Sequence, residues 1–368
     1  MRADNPSMTC PSRTLVKSAK PTALDSVMVF LTSLFIACGS TVPPYLFFRS
    51  LIRLVAEHRA IADAERYVAS GANGEEIIPS EEIILRRSRW QRRAVGFAAC
   101  AVAYALFVKT RASKLTSDAF KASPIWRSWM RYVEFELVDG GDGSPAGRTG
   151  KREQKILAIS PHGLIPFPLA LAAINKGAED VWGTFRVVAA SATKALPGLA
   201  YFIRTIIDGV DASRASVDSA LASGDSVGVA PGGIEEMFQG FPKAGWAKDE
   251  EAVLLKSRKG FIRLAKKHDV PVVPVFCFGA SKLMRRLDVP FMESLSKLLR
   301  ASLVLVYGRL GLPVPFQTKL LYVMGTAIRP KVGESVDEMH ERFCRELKRV
   351  FEDHKHYYNW ERKSLRIV

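Results

Sequence analysis

Residues Lys155–Ala170 read KILAISPHGLIPFPLA, and the fold is decided by what this stretch does. Its first half is a continuous apolar run, too short for a helix and of the composition of a strand buried on both faces. The run stops at Ser160-Pro161-His162-Gly163, and a second apolar run follows almost at once. A proline ends the ladder, a glycine lets backbone come close to a neighbour, and a lone histidine lies between them.

Working outward, the same punctuation recurs. Ser226–Ala230 (SVGVA) ends in Pro231-Gly232-Gly233-Ile234-Glu235-Glu236. Further strands are expected at Phe185–Ser191, Pro271–Phe278 and Leu320–Gly325, with amphipathic helices at Arg258–His268 and Ser335–Lys355. Apolar strands alternating with amphipathic helices predict an α/β domain with a largely parallel sheet covered by helices. Asp139–Glu153, rich in Gly, Ser and Pro, reads as a surface insertion between two strand-like runs.

In such a sheet, ligands bind beyond the carboxyl ends of the strands. If the two strands run parallel, His162 and the Glu235-Glu236 pair open on one edge. A neutral histidine there can take a proton from an alcohol, a carboxylate can hold its ring, and amides of Gly232 and Gly233 can face an oxyanion. The alternative is that His162 is a turn residue bonded to backbone and the glycines serve the turns alone. A serine nucleophile has no G-x-S-x-G elbow to occupy, and Ser160 is poorly placed to share a proton with His162. No metal-ligand spacing surrounds the histidine.

The chain has 368 residues, 48% of them hydrophobic and 24% charged, an ordinary globular composition that does not indicate disorder. A formal charge of +16 asks for an anionic partner: nucleic acid, or a membrane surface together with a phosphorylated ligand. No helix-turn-helix, zinc or aromatic-basic RNA motif supports nucleic acid. Five scattered cysteines argue against a zinc site and a disulfide framework.

Three regions follow from the composition: a polar tail (1–26), membrane-associated segments (27–122) and a catalytic domain (123–368). Val27–Phe48 carries no charge until it ends, and is about as long as the ~20 residues that span a bilayer. Pro43-Pro44 is expected to break or bend it. Ala94–Val108 is a shorter apolar stretch bracketed by Arg92-Arg93 and by Lys109, Arg111 and Lys114. Arginines between the two segments favour a shallow hairpin with every charge on the cytosolic side, joined by an amphipathic helix. If the first residues are a leader, a plastid location becomes an alternative.

In their order and spacing, SPHGLIPF, VAPGGIEEMF, LLKSRKGFIRLAKKHDVPVVPVFCFG, YGRLGLPVPF and the closing EMHERFCRELKRVFEDHK resemble the type 2 diacylglycerol acyltransferase family. That family includes monoacylglycerol and wax-alcohol acyltransferases. The resemblance runs from about Lys155 to the C-terminus and implies His162 as catalytic base and Glu236 as the acid of Gly-Gly-x-x-Glu. Ser160 stands where the family carries a first histidine, which bears on substrate preference. Phe167 stands where the more distantly similar glycerol-phosphate acyltransferases carry an aspartate.

The reaction implied moves a fatty acyl group from coenzyme A to a lipid hydroxyl, with acyl-CoA as co-substrate and no bound cofactor or metal. Pro161, Gly163, Gly232 and Gly233 would border the substrate. Lys256, Arg258, Lys259 and Gly260, at the start of a helix, would face the phosphates of coenzyme A. Diacylglycerol is the expected acceptor, with monoacylglycerol, a long-chain alcohol or a lysophospholipid as alternatives. The expected setting is the endoplasmic reticulum membrane, catalytic domain toward the cytosol, or a lipid droplet. A non-catalytic membrane or lipid-droplet binding protein and a lipid hydrolase are the readings from other classes, and a homo-oligomer is left open.

Overall fold

The computed structural model describes residues 13–69, 80–109, 114–144, 147–205, 207–239, 249–287, 289–299 and 304–368. The chain divides into two compact units, Met1–Phe35 with Ala112–Thr193 and Phe202–Val368, and Ile36–Arg111 with Lys194–Tyr201.

The first unit is built on an eight-stranded sheet. Its strands begin with β1 (Arg13–Lys17), β2 (Glu136–Asp139), β3 (Ile156–Ser160), β4 (Arg186–Ala189), β5 (Val210–Asp211) and β6 (Val227–Val229). After β7 (Glu250–Val253) come β8 (Val272–Phe278), β9 (Arg285–Arg286), β10 (Val306–Tyr307), β11 (Leu321–Met324) and β12 (Ser364–Ile367). Spatial order is β1-β2-β11-β8-β3-β6-β4-β5, while β9 pairs with β10 and β12 with β7 in two small ladders.

From β8 through β3, β6 and β4 to β5 all pairs are parallel. The expected largely parallel α/β sheet is therefore present. At β11 the direction reverses, because β11 runs antiparallel to β8 and parallel to β2.

Residues of β3 and β8 are apolar on both faces, and both faces are covered. Leu157, Ile159, Val275 and Cys277 point into one core layer with Trp129, Tyr132 and Trp182. Ile156, Ala158, Phe276 and Phe278 point into the other, against Phe343, Leu347 and Phe351 of the helix Val336–His354. That helix begins in a capping box, Ser335 and Glu338 each satisfying the other's backbone N–H, so the chain specifies its start locally.

The N-terminal expectations change in two places. Residues 13–17, inside the segment read as a polar tail, form the edge strand β1 with the register Arg13↔Asp139 to Lys17↔Glu136. Val27–Phe48 is not a separate bent or re-entrant segment. It lies within one helix, Ala23–Ala69, that continues through Pro43-Pro44 and absorbs the linker expected to be a separate amphipathic helix.

The start of this apolar run packs in the first unit. Val29 is fully buried in its core and Trp129 Nε1 donates to Thr32 Oγ1 at 2.8 Å. Among the described residues no helix is long and apolar enough to cross a membrane.

The second unit contains a helical hairpin, formed by the later part of Ala23–Ala69 and the helix Ser80–Lys109. Phe47 stacks on Phe97, Trp90 Nε1 donates to the Leu54 carbonyl at 2.8 Å, and Arg87 pairs with Glu65 at 2.9 Å. These contacts run in opposite directions along the two helices, as a hairpin requires.

Candidate active site

β3 and β6 are adjacent and parallel, with Ile156 opposite Val227. Their carboxyl ends therefore open side by side, and the two proline-glycine turns meet there. His162 follows β3 by two residues; Glu236 lies in the helix Gly233–Gln239 that follows β6.

The imidazole is fixed by its own loop. Nδ1 lies 2.8 Å from the Gly163 carbonyl oxygen, an atom that can only accept, so Nδ1 carries the proton and Nε2 is the basic nitrogen. No hydrogen-bond partner of Nε2 exists among the described residues. Burial lowers the pKa of the ring below its usual 6.5, and the Gly163 carbonyl opposes that shift. The result is a neutral imidazole with one lone pair available.

Gly163 makes this geometry possible. It sits at φ 74°, in the left-handed region, and a Cβ there would stand 3.1 Å from the Ala280 carbonyl oxygen.

Glu236 does meet His162, though not where the triad arrangement puts a carboxylate. Its Oε1 accepts the His162 main-chain N–H at 2.9 Å and leaves the ring to Gly163. Its Oε2 is buried with no hydrogen-bond partner among the described residues. Burial pushes the Glu236 pKa up to about 8, against the opposing pull of the His162 N–H, so the carboxyl is mostly protonated at neutral pH. It is a clamp on the histidine loop, not an orienter of the imidazole.

The neighbouring Glu235 turns elsewhere and forms an ion pair with Arg258. That separates the roles of two glutamates which the sequence left together.

The Gly232-Gly233 turn also differs from expectation. Gly233 N–H already donates to the Ala230 carbonyl at 3.2 Å. Gly232 matters sterically: a Cβ on it would fall 1.5 Å from Glu236 Oε2, so only glycine leaves room for the clamp. Pro161 is buried, and the Ser160–Pro161 peptide is cis. Ser160 is fully buried, and its Oγ has no partner among the described residues.

The basic cluster expected to face a phosphate is mostly engaged with carboxylates. Arg258 takes Glu235, and Lys259 takes Asp337 at 2.8 Å. Lys256 is exposed, and Gly260 opens the helix Gly260–His268 with open space where a Cβ would be.

Sequence reading passed over a second basic group on this sheet edge, Lys282 and Lys363, which meet over Trp360. They lie 81 residues apart and outside every quoted motif, so no local pattern joins them.

The chain is 25% identical over 263 residues to 2-acylglycerol O-acyltransferase 1 of Bos taurus, covering 64% of this chain and 73% of that protein. With acyl-CoA wax alcohol acyltransferase 1 of Mus musculus it shares 27% over 277 residues, 66% of this chain and 77% of the other. Among solved structures, the 1-acyl-sn-glycerophosphate acyltransferase PlsC of Thermotoga maritima aligns with a TM-score of 0.42 at 16% identity, covering 90% of this chain and 97% of that one. Residues 89–367, which include the histidine loop, the Gly-Gly turn and the closing helix, match the diacylglycerol acyltransferase model, and the chain belongs to that family.

Proposed function

We propose that this protein transfers a fatty acyl group from coenzyme A to the hydroxyl of a neutral lipid, with diacylglycerol as acceptor and triacylglycerol as product. One observation carries the reading: His162 presents a neutral Nε2 with no hydrogen-bond partner among the described residues, while Nδ1 is held by Gly163.

In the proposed reaction, Nε2 removes the acceptor's hydroxyl proton as that oxygen attacks the thioester carbonyl. The tetrahedral oxyanion then collapses, the C–S bond breaks, and the proton on Nε2 passes to the departing thiolate. Glu236 fixes the main chain of His162 throughout and takes no proton. Family membership and the relatives, whose names specify 2-acylglycerol and wax alcohol, support acyl transfer to neutral lipids.

Space for the apolar substrate exists beside the helix that carries Glu236. A cavity of about 420 Å³ is lined by the apolar side chains of Phe238, Leu287, Val289 and Phe291 together with the polar Arg286 and Ser294. We assign it to a fatty acyl chain.

We place the protein at the endoplasmic reticulum membrane, with the first unit on the cytosolic side. Support comes from exposed apolar side chains on both hairpin helices, Tyr45, Phe48 and Ile52 on one and Val95, Val102 and Leu106 on the other. Arg53, Arg92 and Arg93, which adjoin this apolar zone in sequence, suit an anionic headgroup layer.

The test is acyl transfer from labelled oleoyl-CoA in membranes carrying wild type or His162→Ala, against diacylglycerol, monoacylglycerol, fatty alcohol and lysophospholipid. Product with diacylglycerol that falls by roughly 10²–10⁴ in the variant supports the proposal. Folded wild-type protein that acylates none of the four removes it.

A further inference from the structure

Lys282 and Lys363 belong to a cluster that the proposed acyl transfer does not use. β8 ends at Phe278 and turns through Gly279, at φ 89°, into the short helical turn Ala280–Lys282. That turn abuts the histidine loop, since the Ala280 carbonyl is the atom nearest to a Cβ built on Gly163.

At its end, Lys282 Nζ lies 4.9 Å from the ring centroid of Trp360 and 5.2 Å from that of Tyr358. Lys363 Nζ lies 4.4 Å from the same Trp360 ring. One carboxylate stands beside the two ammonium groups and pairs with Lys363 alone. Glu251 Oε1, in β7, accepts from Lys363 Nζ at 2.8 Å and from Ser281 Oγ at 3.1 Å. Lys282 Nζ has neither hydrogen bond nor ion pair among the described residues and touches only aromatic faces.

Two ammonium groups over one indole repel each other, and a single carboxylate neutralises one. Burial first, then Lys363, lowers the pKa of Lys282, while Glu251 opposes. Lys282 as a residue is nevertheless reachable from solvent. The aromatic faces hold both charges in place, and a phosphate oxygen between them would supply the missing anion. Arg258 and Lys259 are already paired, whereas Lys282 and the exposed Lys256 have no carboxylate partner among the described residues, and of these two only Lys282 is held by aromatic faces beside the histidine loop.

We propose that Lys282 and Lys363, fixed over Trp360 and Tyr358, bind the phosphates at the nucleotide end of the acyl donor. Only the identity of the phosphate's carrier rests on the acyl-CoA reading; a phosphorylated lipid headgroup has the same chemistry.

The experiment uses the full chain in detergent and the variants Lys282→Gln, Lys282→Arg and Lys363→Gln, each checked for folding by circular dichroism. Coenzyme A binding is measured by calorimetry. Flotation is measured on phosphatidylcholine vesicles with and without phosphatidic acid. Lys282→Gln is expected to weaken coenzyme A binding about tenfold, as befits one lost charge-assisted contact, and Lys282→Arg to retain it. The KM for oleoyl-CoA rises in step while kcat stays constant.

Equal coenzyme A affinity in wild type and Lys282→Gln overturns the assignment even when wild type transfers acyl groups. So does wild type that binds no coenzyme A, or loss of flotation on phosphatidic-acid vesicles with coenzyme A binding unchanged. Lys282-dependent coenzyme A binding by protein that acylates no acceptor leaves the phosphate site standing and removes the acyl-transfer reading instead.

Discussion

Glu236 Oε1 accepts the main-chain N–H of His162 at 2.9 Å, while the imidazole of His162 turns its Nδ1 to the Gly163 carbonyl at 2.8 Å. The clamp and the hold on the imidazole are thus separate devices. One fixes where the loop lies and the other fixes which nitrogen is basic. Because the clamp bonds to an N–H, it needs a carbonyl-like acceptor and no negative charge. The buried carboxyl is accordingly the protonated form at neutral pH.

Glu236→Gln keeps that acceptor and is expected to retain acyl transfer within about threefold, whereas Glu236→Ala leaves the His162 N–H without its partner and loses far more. Initial rates at saturating oleoyl-CoA distinguish the two. A glutamine variant as inactive as the alanine variant would mean that Glu236 acts as a carboxylate.

Stability follows the same proton. The unfolded chain releases it near 4.5 and the folded chain holds it to about 8. This contribution is therefore complete below pH 4.5 and is lost as pH rises through 8, with a slope of at most ~1.4 kcal/mol per pH unit. Urea unfolding of wild type should weaken across that window, and Glu236→Gln should flatten the decline.

In the proposed reaction the acid limb of activity belongs to His162. With its pKa lowered by burial, the base remains neutral well into mildly acidic solution. The profile of kcat/KM should be level at pH 7 and bend downward only below 6.5. A bend above that value would show that a different group is the base.

Much of this site was legible in the chain because its signals are local. The two proline-glycine turns mark strand ends, and five of the sheet's strands were apolar enough to locate. Other features depend on tertiary pairing. β5 and β12 have two and four residues, and β1 is a polar-flanked edge strand whose partner lies more than a hundred residues away. Val27–Phe35 resembles a membrane segment in composition, yet part of it is core because Trp129 comes from elsewhere to meet it at Thr32. Which of Glu235 and Glu236 reaches His162 was undecidable from adjacency; the helix turns one to Arg258 and the other inward.

Arg131 anchors the N-terminal helix to the first unit. It donates to Asp25 through Nε at 2.9 Å and Nη2 at 2.5 Å, and Asp25 is fully buried. The guanidinium beside it holds the Asp25 carboxyl well below the usual carboxylate range, so the pair stabilises above pH 3.8 and is lost as acid protonates it. Arg131→Met leaves the buried Asp25 charge to the N–H and Oγ1 of Thr22, which donate to it at 2.8 Å, and should cost about 3 kcal/mol, while Asp25→Asn with Arg131→Met should recover part of it. Thermal denaturation of the three variants decides; a double variant no better than Arg131→Met would mean that the charge is not the cause.

The two glycines of the second turn make opposite predictions. A Cβ on Gly232 would lie 1.5 Å from Glu236 Oε2 and 2.7 Å from Glu236 Cβ, so the glutamate must move and release the His162 N–H. Displacing a catalytic loop by about 1 Å costs roughly 100-fold, and Gly232→Ala should lose that much activity. On Gly233 a Cβ meets nothing within 4 Å, and the cost is confined to a left-handed φ of 57°. Gly233→Ala should therefore lower stability by about 1 kcal/mol and leave the turnover of the folded protein near wild type. Measured side by side, equal losses of turnover would show that both glycines border the substrate through their backbone; unequal losses in the stated order tie activity to the Glu236 clamp.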